Sequence, residues 1–177
     1  EIMPSLVGSE MCIRDRIRRK YGLGDAPVVL YLGRLAAYKG VHYLLRAIPL
    51  ILRVRPEVKF LVAGSRRYDM LNLPLMAESL GVRKSVIFTG FVPDKLVPQF
   101  YACCNIFCFP SLWEGFGLPV VLVEPDYTKL AEAIITLLED EKRRKKMGLE
   151  ARNRISRLFS KRKMIEKTLE VYEEVLN

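Results

Sequence analysis

"VVLYLGRLAAYKGVHYLLRAIPLILRVRPEVKFLVAG", residues 28–64, decides how the chain must fold. It opens with the apolar run "VVLYLG" (Val28 to Gly33), too short for a helix and closed by a turn-forming glycine, as expected of a strand buried on both faces. From Gly40 to Pro56 the period changes, and Leu44, Leu45, Ile48, Ile51 and Leu52 fall on one helical face. Pro49 lies inside that helix and is expected to kink or loosen it, since it removes a backbone donor. A second buried run, "VKFLVAG" (Val58 to Gly64), then ends in another glycine. Strand, amphipathic helix and strand in that order imply a right-handed crossover and parallel pairing.

The alternation continues outward. A helix is expected near Met70 to Leu80, a strand in "SVIFTGF" (Ser85 to Phe91), and a helix capped by Asp94 that runs to about Cys103. "NIFCFPS" (Asn105 to Ser111) supplies a fourth strand. The reading is an α/β, Rossmann-like, doubly wound parallel sheet with strands near Val28–Leu32, Val58–Ala63, Val86–Thr89 and Ile106–Phe109. The expected order is 3-2-1-4, with a ligand outside the strands' C-terminal ends. After Pro125 three helices follow, at Asp126 to Asp140, Glu141 to Phe159 and Lys161 to Asn177, with Asp126 and Ser160 as natural N-caps. This helical tail is expected to wrap the sheet rather than carry chemistry.

Composition suits a folded, water-soluble domain: 177 residues, half of them apolar and 28% charged. No apolar run approaches the roughly 18 residues of a membrane-span candidate, and the chain is read as cytoplasmic. The net charge of +9 comes largely from "RDRIRRK" (Arg14 to Lys20), "KRRKK" (Lys142 to Lys146) and "SKRKM" (Ser160 to Met164). These runs sit at helix ends or on solvated helix faces, without a zinc-finger, RNP or basic-zipper signature. Peripheral attraction to an acidic membrane therefore stands ahead of nucleic-acid binding. Cys103, Cys104 and Cys108 lack paired Cys-x-x-Cys spacing, so they are read as reduced, buried thiols. His42, on a helix face, is read as a packing or surface residue. No metal is expected.

Three loops follow strand C-termini. "GRLAAYKG" (Gly33 to Gly40) offers Arg34 and Lys39 beside a helix start, a forked guanidinium and a point-charge ammonium suited to a diphosphate. "TGFV" (Thr89 to Val92) places Gly90 where backbone could meet a flat base. "WEGFGLP" brings Glu114, then Phe116, Gly117 and Leu118 before Pro119, a pattern that should open an anion-binding helix. Instead the chain runs Val120-Val121-Leu122-Val123, a β-branched stretch that favours a strand.

The motifs "VLYLGRLAAYKG", "FTGFVPDKLVPQFYACCNIFCFPS", "EGFGLP", "LVEPDYTKLAEAI", "MGLEARNRI" and "TLEVYEEVL" together resemble the C-terminal, donor-binding domain of retaining GT-B glycosyltransferases of the group 1 type. The resemblance runs from about Ile17 to the C-terminus. It implies a nucleotide-diphospho-sugar donor as substrate and no separate cofactor. Arg34 and Lys39 match the positions that hold the diphosphate and stabilise charge on the leaving group. Glu114 matches the first carboxylate of the paired-glutamate motif, near the sugar hydroxyls. Gly33, Phe116, Gly117 and Leu118 match backbone that faces sugar and phosphates, and Gly90, Phe91 and Val92 match the stretch lining the base. The Arg/Lys pair does the charge work that a divalent cation does elsewhere.

Two departures matter. In the family, Pro119 opens a helix whose second glutamate, the ribose ligand, would fall where this chain has Leu122. Here the later motif, with Glu124, arrives almost at once, so an internal loss of a helix-plus-strand unit is expected near residues 120–124. Met3 to Arg16 resembles translated adapter sequence, so residues 1–16 are set apart and the donor-binding domain is taken as 17–177. Without the ribose ligand and an N-terminal acceptor-binding domain, the chain alone is expected to be inactive. A non-catalytic nucleotide-sugar or phosphate module, or a subunit that needs a partner chain, remains as the alternative.

Overall fold

In the computed structural model, β1 (Val28–Leu32) lies inside a four-stranded parallel sheet. Residues 14–65, 72–112, 124–158 and 161–176 are described. The other strands are β2 (Lys59–Ala63), β3 (Val86–Gly90) and β4 (Ile106–Phe107), and the order is β3-β2-β1-β4, as the sequence predicts. β1 pairs with β2 from Val28↔Lys59 to Leu32↔Ala63, and with β4 at Val29↔Ile106 and Leu30↔Phe107. Asn105 fixes the second register: its Oδ1 accepts from the Val28 N–H at 2.9 Å, and its own N–H donates to the Val28 carbonyl at 2.8 Å.

Alternate side chains of β1 feed opposite faces. Val29 and Tyr31 join the core under α2 (Val41–Val54), α3 (Leu73–Ser79) and α5 (Tyr127–Glu139). Val28 and Leu30 join a second core with Phe100 and Cys103 of α4 (Val97–Cys103), and with Ile17 of α1 (residues 14–20). Burial on both sides is why β1 reads as an unbroken apolar run. Arg18 is the buried charged residue of this second core, 6% exposed. Its guanidinium donates to the carbonyls of Cys103 (2.7 Å), Gly24 (2.9 Å) and Ala26, tying α1 to the approach to β1 and the end of α4. Burial lowers its pKa from the ordinary arginine value.

α2 is one helical element with Pro49 inside it, and Val41, Leu44, Leu45, Ala47, Ile48 and Ile51 are buried along it, packing that helps offset the roughly 3 kcal/mol cost of an interior proline. Two local expectations are corrected. Asp94 does not cap a helix; it begins a 3-10 turn, Asp94–Leu96, from which α4 continues. β4 stops at Phe107 rather than Phe109. Cys108 still donates to the Leu30 carbonyl at 2.8 Å, but Pro110 lacks the N–H to extend the ladder. The expected strand at Val120–Val123 lies outside the described residues.

Asp126 caps α5 as expected, its Oδ1 accepting from the Thr128 N–H at 2.6 Å, and α5 packs against α2. Contacts divide the chain into one unit through Glu139 and a second from Asp140 onward. The second comprises α6 (Glu141–Leu158) and α7 (Lys161–Leu176). Asp140 caps α6 by accepting from the Arg143 N–H at 2.8 Å, and α6 buries none of its residues. The Ser160 cap lies outside the described residues. Among those described, no helix is long and apolar enough to cross a membrane.

Candidate functional site

The loops after β1, β2 and β3 are joined at the strands' C-terminal ends by main-chain contacts. Gly33 N–H donates to the Ala63 carbonyl at 3.0 Å, Leu35 N–H to Ser65 at 3.3 Å, and Gly64 N–H to Gly90 at 2.9 Å. A Cβ on Gly64 would stand 1.8 Å from the Gly33 carbonyl oxygen, so only glycine permits this approach. Gly33 and Gly90, both expected at the site, thus sit on one rim.

The loop after β1 brings the two cations together. Arg34 is exposed and Lys39 is half-buried. Between them Tyr38, 40% exposed, stands on a 3-10 turn, Ala37–Lys39. The Arg34 guanidinium carbon is 5.9 Å from the Tyr38 ring centroid and the Lys39 ammonium 5.0 Å from it. Lys39 also lies 5.4 Å from the ring of Phe109, which stacks on Tyr31 at 5.8 Å. Tyr31 Oη in turn donates to the Arg34 carbonyl at 2.7 Å. α2 begins at Val41, after its N-cap Gly40, with no side-chain cap and no acidic residue in its first turn, so the partial positive charge of its N-terminus stands next to Lys39 along the chain.

This loop is joined to the one after β4. The Tyr38 carbonyl accepts from the Leu112 N–H at 2.9 Å and from Ser111 Oγ at 3.4 Å. Gly40, at φ +69°, lies so close to Pro110 that an added Cβ would be 1.7 Å from its carbonyl oxygen. Glu114, Phe116, Gly117 and Leu118 lie outside the described residues, but the segment that enters them is fixed beside the Arg34–Lys39 loop. On the rim after β3, Phe91 is 71% exposed. Val92, 9% exposed, packs its side chain into the second core. Glu124 pairs with Lys129, in keeping with its place in the later motif. Tyr38 and Phe109 escaped the sequence reading, because their role depends on two loops meeting.

Cys103 and Cys108 are buried as expected, whereas Cys104 is partly exposed. Burial pushes Cys108 up to about 12 and raises Cys103, and Cys103, Cys104 and Cys108 are all free. Among the described residues, no group of three or more His, Cys, Asp or Glu side chains could hold a metal.

Residues 13–125 match the family model described as "Glycosyl transferases group 1". The chain belongs to that family. The match begins inside the segment that the sequence reading set apart as residues 1–16. A curated relative, the GDP-mannose-dependent alpha-(1-6)-phosphatidylinositol monomannoside mannosyltransferase of Mycolicibacterium smegmatis, is 39% identical over 107 residues, 60% of this chain and 28% of its own length. Spore coat protein SA of Bacillus subtilis is 27% identical over 197 aligned positions, covering 91% of this chain and 52% of its own length. The crystal structure of Anabaena HepE in complex with UDP and glucose superposes with a TM-score of 0.81 at 22% identity, covering 92% of this chain and 52% of that one. This group 1 glycosyltransferase chain therefore has one Rossmann-like half of a GT-B fold, and it spans about half or less of the length of these relatives.

Proposed function

We propose that the C-terminal rim of the sheet binds the diphosphate of a nucleotide-diphospho-sugar donor for retaining glycosyl transfer. One observation carries the reading: Arg34 and Lys39 are gathered against one aromatic ring at the uncapped start of α2, beside the segment that leads to Glu114. Two cations and a helix N-terminus favour a polyanion over a neutral sugar. Relatives point the same way, one being named as GDP-mannose-dependent and another solved in complex with UDP.

In transfer, negative charge grows on the diphosphate as its bond to the sugar breaks. Arg34 and Lys39 stabilise that charge where it develops, which is the differential stabilisation catalysis requires. Glu114 orients the sugar hydroxyls, and Phe116, Gly117 and Leu118 present backbone to sugar and phosphate. Gly90 and Phe91 face the base. The two side-chain cations supply the electrostatic role without a divalent metal.

The acceptor-binding half is supplied by polypeptide beyond these residues, consistent with the half-length coverage of relatives. A helix-plus-strand unit is missing near residues 120–124. In support, the alignment to spore coat protein SA runs over 197 positions, more than the whole 177-residue chain, so the relative carries residues within the matched span that this chain lacks. The enzyme acts in the cytoplasm or at the membrane's cytoplasmic face, a contact favoured by α6, whose sequence "EKRRKKMGLEARNRISRL" is strongly basic.

The test is turnover of a panel of nucleotide sugars, assayed as nucleoside diphosphate release with and without an added acceptor-binding half from a relative. The chain alone should release none, and the combination should transfer once the helix-plus-strand unit near residues 120–124 is also restored. Turnover by the chain alone would overturn the inactivity and missing-unit readings. Binding without transfer in any combination would favour the alternative, a non-catalytic nucleotide-sugar or phosphate module.

A further inference from the structure

We propose that Tyr38 is the positioning residue of this site: its ring preassembles Arg34 and Lys39 as a pair, and its carbonyl couples them to the loop after β4. The inference rests on the donor-binding reading above. Arg34 and Lys39 carry like charges, which repel, and both have long side chains with much rotamer freedom to lose. A ring that both side chains approach lessens the ordering that a diphosphate must impose on them.

Packing does not explain Tyr38. Its ring is 40% exposed and belongs to neither core cluster. It has the two cations instead, at 5.9 Å and 5.0 Å from its centroid, within the roughly 6 Å over which an aromatic quadrupole attracts a cation. Phe109 supplies a second ring to Lys39 from the other loop, at 5.4 Å. The main chain of the same residue accepts from Leu112 N–H and Ser111 Oγ. One residue therefore touches both cations through its ring and the loop after β4, at Ser111 and Leu112, through its carbonyl. Because the ring makes the cation contacts, phenylalanine should serve nearly as well as tyrosine.

The experiment uses the full chain, with inorganic pyrophosphate and UDP as probes, titrated by calorimetry at low salt. Tyr38→Leu should weaken both by roughly the same factor, about five- to thirtyfold, since it acts on the phosphate grip and not on the base. Tyr38→Phe should recover most of that loss, and urea midpoints of both variants should stay near that of the unaltered chain. If Tyr38→Leu binds like the unaltered chain, the inference fails and the donor reading stands. It also fails if Tyr38→Phe is as weak as Tyr38→Leu, or if the losses follow a fall in the urea midpoint. If the unaltered chain binds neither probe, the donor reading and this inference fall together.

Discussion

Gly40→Ala probes the junction that holds the two halves of the site together. Gly40 stands at φ +69°, and its missing Cβ would lie 1.7 Å from the Pro110 carbonyl oxygen and 2.7 Å from the Pro110 carbonyl carbon. An L residue in this left-handed conformation costs about 1–2 kcal/mol. The clash is with backbone, which cannot swing aside as a side-chain tip can, and overpacking of this kind costs about 1–3 kcal/mol more. The total is about 2–5 kcal/mol. Gly81 gives the control: its φ is +70°, yet nothing lies within 4 Å of its added Cβ, so Gly81→Ala should carry the conformational cost alone. Urea denaturation of both variants, compared by midpoint with m held equal, separates the two contributions. Gly40→Ala should also weaken UDP binding, because Pro110 can only retreat by moving the loop that leads to Glu114. Equal stability losses in the two variants would show that the loops do not meet as described.

Other expectations are narrower. Arg18→Met should cost about 2–4 kcal/mol in urea, because it removes three hydrogen bonds from a charged donor and leaves the buried Cys103 carbonyl unmatched. Arg19→Met, at an exposed site, should stay within about 0.5 kcal/mol. Cys108, pushed from 9.0 to about 12 by burial, retains its proton in the folded state where the unfolded chain has lost it. Its contribution to stability is therefore complete below pH 9 and falls as pH rises towards 12, a decline that Cys108→Ala should lessen in urea titrations across that window. Asp126→Ala should raise amide exchange in the first turn of α5, and lowering the pH through the carboxylate's depressed pKa should reproduce the effect in the unaltered chain.

What the sequence revealed and what it hid follow from where each signal is written. Burial on both faces makes β1 a continuous apolar run, and the βαβ pattern from Val28 to Ala63 carries direction and neighbour, so the sheet order was legible. That Arg34 and Lys39 share one loop was legible because Gly33 and Gly40 bracket them between β1 and α2. The aromatic setting was not. Tyr38 and Phe109 lie in loops seventy residues apart, and neither has a periodicity that tells a cation's platform from a core residue. At Pro49 the local cost of proline is visible in sequence, whereas the packing that keeps α2 one element is tertiary. Asp94 misled, since a capping residue type is also at home in the first position of a 3-10 turn. Asp140, expected at the end of α5, caps α6 instead, since a residue between two consecutive helices in the chain can satisfy either pattern.

The most direct test of the central claim is calorimetric titration of the full chain with UDP and GDP at two salt concentrations, repeated with Arg34→Ala and with Glu124→Ala. Both nucleotides should bind weakly and more loosely as salt rises, with little preference between bases, because the phosphate contacts carry most of the affinity. Charge-assisted hydrogen bonds contribute about 1.5–3 kcal/mol each, so Arg34→Ala should reduce this affinity below detection. Glu124→Ala should leave it unchanged, since that carboxylate is occupied with Lys129. Tight, base-selective and salt-insensitive binding that survives Arg34→Ala would contradict the account.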